Sequence, residues 1–128
     1  MRRRDSFMRH NPQKLYEDMQ RAIAEIESFC GGKSFADFQN DRRLQLVVER
    51  EFEIVGEALA RLRRDHPALA ARIADTDKII GLRNVLAHGY DVLEYAILWD
   101  AVENKVPALK CNLQAMSRSS DSENPDKT

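Results

Sequence analysis

An all-α fold, an antiparallel bundle of four to five helices, is the expectation set by three features of this sequence. Apolar residues recur at three- and four-residue intervals in several stretches, helix-capping and helix-stopping residues punctuate those stretches, and no segment alternates with the two-residue period of a strand. The 128 residues are one domain's worth, and 43% hydrophobic with 32% charged residues is an ordinary globular composition. A chain of this size buries roughly two-thirds of its extended surface, so neither a metal nor a disulfide is needed for stability.

Asn11-Pro12 opens the first helix, with Asn as cap and Pro in the first turn, and Leu15, Met19, Ala22, Ile23, Ile26 and Cys30 form its apolar stripe. Gly31-Gly32 stops it. A connector containing Ser34, Phe35 and Phe38 leads to Asp41, after which Leu44, Val48, Phe52, Val55, Leu59 and Leu62 mark a long amphipathic helix. Val47, Ile54 and Ala58 widen that stripe, the pattern of a helix covered on two sides by bundle neighbours or by a second protomer. His66-Pro67 ends it, and a short helical turn through Leu69 and Ile73 follows.

Asp75 or Thr76 then caps a helix carrying Ile79, Ile80, Leu82, Val85 and Leu86, which Gly89 closes in a left-handed conformation. Leu93, Ala96, Ile97, Ala101 and Val102 predict a helix from Val92 to Val106, anchored by Trp99. Pro107 kinks or restarts it, and Leu109, Leu113 and Met116 extend the stripe. Residues 1–116 thus read as a single helical domain, and 117–128, which hold no apolar residue, as a disordered tail.

Composition also narrows the functions to consider. Cys30 and Cys111 are far apart and follow no apolar leader, so both read as small core residues of a protein in the reducing cytoplasm. No apolar run approaches the roughly 18 residues of a membrane span. A net charge of −1 lacks the basic excess of a dedicated nucleic-acid coat protein. The arginines at 2–4, the run Arg61, Arg63, Arg64, and the pair Arg72 and Lys78 are local basic clusters that read as solvated faces. Three scattered histidines at no ligand spacing predict no metal site and no cofactor, and no phosphate loop, nucleophile elbow or dinucleotide fingerprint is present.

One stretch stands apart. Arg83-Asn84-Val85-Leu86-Ala87-His88-Gly89-Tyr90 sets a permanent cation, a titratable imidazole and a phenol at the end of an otherwise apolar helix. Arginine offers a rigid fork of donors matched to phosphate oxygens, and histidine both takes and gives protons near neutrality, so the combination suits phosphate chemistry. On an ideal helix Arg83 and His88 lie about 140° apart around the axis and about 7.5 Å along it. They share no narrow face, whereas Asn84 and His88 do. A cleft between two copies of the helix would bring the groups together. His88 falls in the last turn, where the negative helix end favours its protonated form and hence an acid role. A second reading stays open on these residues alone, with Arg83 and His88 as surface charges and Tyr90 as a packed aromatic. Glu49, Glu51, Glu53 and Glu57 read as a solvated edge rather than a polar site, and His10 and His66 as ordinary surface residues.

The motif resembles the Arg-x4-His-x-Tyr signature of the HepT-like proteins, a branch of the HEPN superfamily. The resemblance extends to Phe52-Glu53-Ile54-Val55-Gly56-Glu57-Ala58, to Ile79-Ile80-Gly81-Leu82, and to Trp99-Asp100 with Pro107, covering roughly residues 12–113. Thr76 stands where many members carry a tryptophan, and Gly89 replaces a frequent glutamate. The resemblance implies an all-helical homodimer whose two motifs line a shared cleft, and a toxin that cuts RNA without a metal. Arg83 would neutralise the scissile phosphate, His88 would move protons and Asn84 would orient the imidazole or the phosphate. It also implies a partner, a MntA-like nucleotidyltransferase antitoxin that transfers AMP to Tyr90. The alternative is a non-catalytic module of the same fold that holds RNA, a nucleotide or the partner enzyme.

Overall fold

Local signals set most helix ends in the computed structural model, which describes residues 11–88 and 94–123. Helix α1 (Pro12–Cys30) starts where the Asn11 side-chain oxygen accepts the Gln13 N–H at 2.8 Å. It stops at Gly31, and Gly32 turns the chain with a φ of 78° that a side chain would disfavour. Helix α3 (Arg42–Asp65) starts under the Asp41 carboxylate, which accepts the Leu44 N–H at 3.1 Å, and ends ahead of Pro67. Between them the expected connector is itself a short helix, α2 (Phe35–Gln39). It is closed by a reciprocal cap in which Ser34 Oγ accepts the Asp37 N–H and the Asp37 carboxylate accepts the Ser34 N–H.

Helix α4 (Pro67–Ala70) ends short of the expected Ile73, which is buried all the same. Helix α5 (Thr76–His88) carries the motif. Asp75 precedes it at a φ of 61° and its carbonyl accepts the Ile79 N–H. The Thr76 hydroxyl lies within hydrogen-bonding distance of the Ala70 and Ile73 carbonyls, tying the helix start to the preceding turn. The closing role expected of Gly89, and the helix start expected at Val92 with Leu93, lie outside the described residues.

The last described segment is one rod: α6 (Tyr95–Asp100), a π turn (Ala101–Lys105) and α7 (Val106–Glu123). Pro107 does not break it. Proline lacks the N–H and crowds the carbonyl four residues back, and the wider turn just before it accommodates both defects. The buried series Leu98, Ala101, Val106, Leu109, Leu113 and Met116 steps by three or four residues everywhere except across the π turn, where it steps by five. Ala96 and Ile97, expected on the inner face, are exposed, and Leu98 takes their place. The tail expected from residue 117 begins as a continuation of α7 through Glu123, since no Pro or Gly interrupts residues 108–123. Residues 124–128 lie outside the described residues.

Helix α3 is the centre of the bundle and packs against α1, α2, α4 and α5, as its widened stripe predicted. Glu25 meets Glu51, while Leu15 shares a wall with Ala58 and Arg61, so α1 and α3 run antiparallel. Gly56 meets Arg83 and Arg63 meets Asp77, so α3 and α5 do likewise. Phe38 on α2, fully buried, stacks near Trp99 at 5.0 Å and edge-on to Tyr95 at 5.8 Å, pinning α2 to the terminal rod. Buried Gln45 donates to the Phe38 and Gln39 carbonyls at 2.9 and 3.1 Å, satisfying the end of α2. Cys30 is a core residue as expected, and Cys111 is not, facing solvent on α7. No described helix is long and apolar enough to cross a membrane.

Candidate active site

A glycine positions the motif helix. Gly56 lies buried in the middle of α3, and a Cβ built on it would stand 2.1 Å from the Arg83 Cβ and 2.6 Å from its Cγ. Only a residue without a side chain lets α5 approach α3 this closely at the level of Arg83. The next residue, Glu57, consequently faces the arginine, and the Glu57 carboxylate forms an ion pair with Arg83 Nη2. Arg83 Nη1 donates to Asn84 Oδ1 at 2.7 Å. Of the five donors of the guanidinium, two are thus engaged among the described residues.

The second oxygen of Glu57 accepts the Arg61 Nε–H at 2.8 Å, one helical turn further along α3. One carboxylate therefore bridges two guanidinium groups. The Arg61 hydrogen bond holds the Glu57 carboxyl below the usual glutamate range, partial burial opposes this, and the charge of Arg83 adds to the lowering. Glu57 is an anion throughout the neutral range.

These groups form one wall of an open cleft of about 540 Å³ between α1, α3 and α5. Lys14, Arg50, Arg61 and Arg83 line it with Asp18, Glu53 and Glu57, giving a lining of four cations and three anions. Each cation has a carboxylate beside it: Lys14 with Asp18 at 2.9 Å, Arg50 with Glu53 at 3.9 Å, and Arg61 and Arg83 with Glu57. Such a lining can take an anionic group at Arg83 without a strong field of one sign. Ala87 lies on the same wall one turn beyond Arg83.

Of the sequence-predicted site residues, Arg83 lies on the cleft wall and Asn84 beside it. His88 is the last residue of α5; its side chain, and all of Tyr90, lie outside the described residues. Among the described residues no group of three or more His, Cys, Asp or Glu could hold a metal ion. Glu57, read from the sequence as part of a solvated edge, and Arg61, read as part of a solvated basic face, instead line the cleft and pair with each other. A solvated edge has the same four-residue spacing of acid and base, so the pair alone carries no signal. The glycine did carry one, because Gly inside a helix costs about 1 kcal/mol against Ala and marks a close approach of another backbone or side chain. In the basic run, Arg63 instead pairs with Asp77 on α5 and Arg64 with Asp65.

The fold and the cleft define an all-α protein with an arginine and a carboxylate at the meeting of two antiparallel helices. The family model described as ribonuclease HepT-like matches residues 19–116, and the chain belongs to the HepT-like family of the HEPN superfamily. It is 30% identical over 115 residues to a probable ribonuclease HepT of Thermococcus cleftensis, covering 87% of this chain and all of that one. It is 31% identical over 96 residues to a candidate RNase of Methanocaldococcus jannaschii, covering 75% and 86%. A candidate RNase of Caldanaerobacter subterraneus is 32% identical over 79 residues, 62% of this chain and 70% of that one. No solved structure matches the chain at a significant level.

Proposed function

We propose that the protein is a metal-independent endoribonuclease and the toxin of a toxin–antitoxin pair, working in the cytoplasm as a homodimer. Arg83 would bind the scissile phosphate and offset the charge that builds on it. The ribose 2′-oxygen attacks phosphorus, the bond from phosphorus to the 5′-oxygen breaks, and the products are a 2′,3′-cyclic phosphate and a free 5′-hydroxyl. His88 would handle the proton that leaves the 2′-hydroxyl and the one the 5′-oxygen gains. Asn84, bonded to Arg83, would orient the phosphate or the imidazole.

The single observation carrying this reading is that the arginine of the motif stands on the wall of an open cleft, oriented by polar partners rather than extended into solvent. Family membership supports the reading, since relatives carry ribonuclease names. Silencing would come from a MntA-like nucleotidyltransferase that attaches AMP to Tyr90, placing phosphodiester charge beside the cations. The exposed apolar side chains Phe29, Phe35, Leu46 and Ile97 are surface available to a second protomer.

Purified protein incubated with total RNA in excess chelator tests the chemistry. Cyclic-phosphate ends that disappear in Arg83→Ala and His88→Ala are the expected result. RNA retained without cleavage would instead favour the non-catalytic module, a reading to which the charge-balanced cleft lends weight. Light scattering tests the dimer, and intact mass after co-expression with a neighbouring nucleotidyltransferase tests modification, which Tyr90→Phe should abolish.

A further inference from the structure

A guanidinium at the end of a long aliphatic chain reaches many places, and catalysis at phosphate needs it in one. Productive geometry has a tolerance well under 1 Å, and losing it costs about two orders of magnitude in rate. What confines Arg83 is therefore as much a part of the site as Arg83 itself.

Three observations converge on Glu57. Gly56 brings the α5 backbone against α3, so the base of the Arg83 side chain is held by contact. Glu57 then engages Nη2 while Asn84 engages Nη1, which fixes the plane of the fork and leaves Nε–H and one hydrogen on each terminal nitrogen to face a ligand. The Glu57 carboxylate is itself anchored, because its other oxygen takes the Arg61 Nε–H at 2.8 Å. A carboxylate has two acceptor oxygens and serves both arginines, whereas an amide has one and serves only one.

We infer that Glu57 is a positioning residue: by bridging Arg61 and Arg83 it holds the Arg83 guanidinium aimed into the cleft for a phosphate of the RNA backbone. The inference rests on the ribonuclease reading for its substrate. The rival role for the same carboxylate is a counter-charge that merely screens the cleft, and the two roles predict opposite kinetics. A screening anion, once neutralised, exposes more positive charge, so RNA binds more tightly and turnover is unchanged or faster. A positioning anion, once neutralised, frees the arginine, so turnover falls while binding holds or tightens.

The test compares wild type with Glu57→Gln and Glu57→Asp. The expected result for Glu57→Gln is a fall in kcat of about tenfold or more with KM unchanged or lower. Glu57→Asp keeps the charge but withdraws the carboxylate by one methylene, so its kcat also falls, whereas a screening role would leave it at the wild-type value. In an Arg83→Lys background the further effect of Glu57→Gln should shrink to about twofold or less, since it acts through the arginine. Overlapping circular dichroism spectra and thermal transitions identify which variants are folded.

A second measurement does not depend on cleavage. The Nη–H resonances of Arg83, assigned by their loss in Arg83→Lys, should include in wild type a slowly exchanging signal from the Nη2–H that Glu57 holds, and that signal should exchange rapidly with water in Glu57→Gln and Glu57→Asp. Equal exchange in wild type and variants, or an undiminished kcat in Glu57→Gln, would overturn the inference. If wild type cuts no RNA, the ribonuclease reading fails on its own, and the resonance still decides whether Glu57 orders the arginine.

Discussion

Replacing Gly56 by alanine distinguishes packing from helix propensity by the sign of the stability change. In an unobstructed helix interior, glycine to alanine stabilises by about 1 kcal/mol. Here the added Cβ would stand 2.1 Å from one carbon of Arg83 and 2.6 Å from another, where carbons rest at roughly 3.5–4.0 Å. Helices α3 and α5 must part by about 1.5 Å at this level, and overpacking of that kind costs about 1–3 kcal/mol. The net change is therefore a loss of up to about 2 kcal/mol rather than a gain. For a domain of this size that corresponds to a fall in Tm of about 4 °C for each kcal/mol.

Urea unfolding followed by circular dichroism measures the change. The nearest atom is the Arg83 Cβ, so Arg83→Ala should leave the penalty in place and Arg83→Gly should remove most of it. A Gly56→Ala protein more stable than wild type by about 1 kcal/mol would mean that the two helices do not touch there.

Three further outcomes follow from the packing and the ionisation described above. Glu57, with a folded-state pKa below the ordinary value near 4.5, contributes stability that is present above that value and is lost as pH falls through its folded-state pKa; Glu57→Gln should lack this component, so its stability should fall less than that of wild type as the pH is lowered below about 4.5. Burial pushes the Cys30 thiol up to about 11, whereas Cys111 faces solvent, so a thiol reagent at neutral pH should label one cysteine rapidly, and Cys111→Ser should abolish that phase. Phe38→Ala removes a fully buried ring that joins α2 to the terminal rod and should cost about 3–5 kcal/mol in urea unfolding; a cost under about 1 kcal/mol would mean that α2 is not anchored there.

The helix ends at Asn11, Asp41 and Pro67 were legible because each rests on a hydrogen bond or a missing donor within four residues of itself. Helix α2 carried its cap in plain sight at Ser34 and Asp37, but its five residues are too few for a periodicity. The inner face of α6 was misread at Ile97 because Ile97 and Leu98, four and three residues before buried Ala101, both fit a helical stripe, and apolar character alone does not choose between them. In the candidate site, Arg83 was legible from its motif, since a cation at the end of an apolar helix needs a reason. Glu57 was not, because its role depends on where α5 crosses α3, a contact between residues far apart in the chain.

The five-residue step across the π turn makes the terminal rod unusually sensitive to the number of residues on either side of it. Ala101 and Val106 face the same interior only because the Val106 N–H reaches back to the Ala101 carbonyl, one residue further than in an α-helix. Deleting one exposed residue within the turn, Glu103 or Asn104, would leave an ordinary four-residue spacing and keep the inner faces of both halves in phase, at the expense of the room the turn gives Pro107. Deleting one at Ala108 would rotate everything before or after it by about 100° and carry Leu109, Leu113 and Met116 out of the interior. A length change that the first position absorbs is thus one the second cannot, although both are exposed and only a few residues apart.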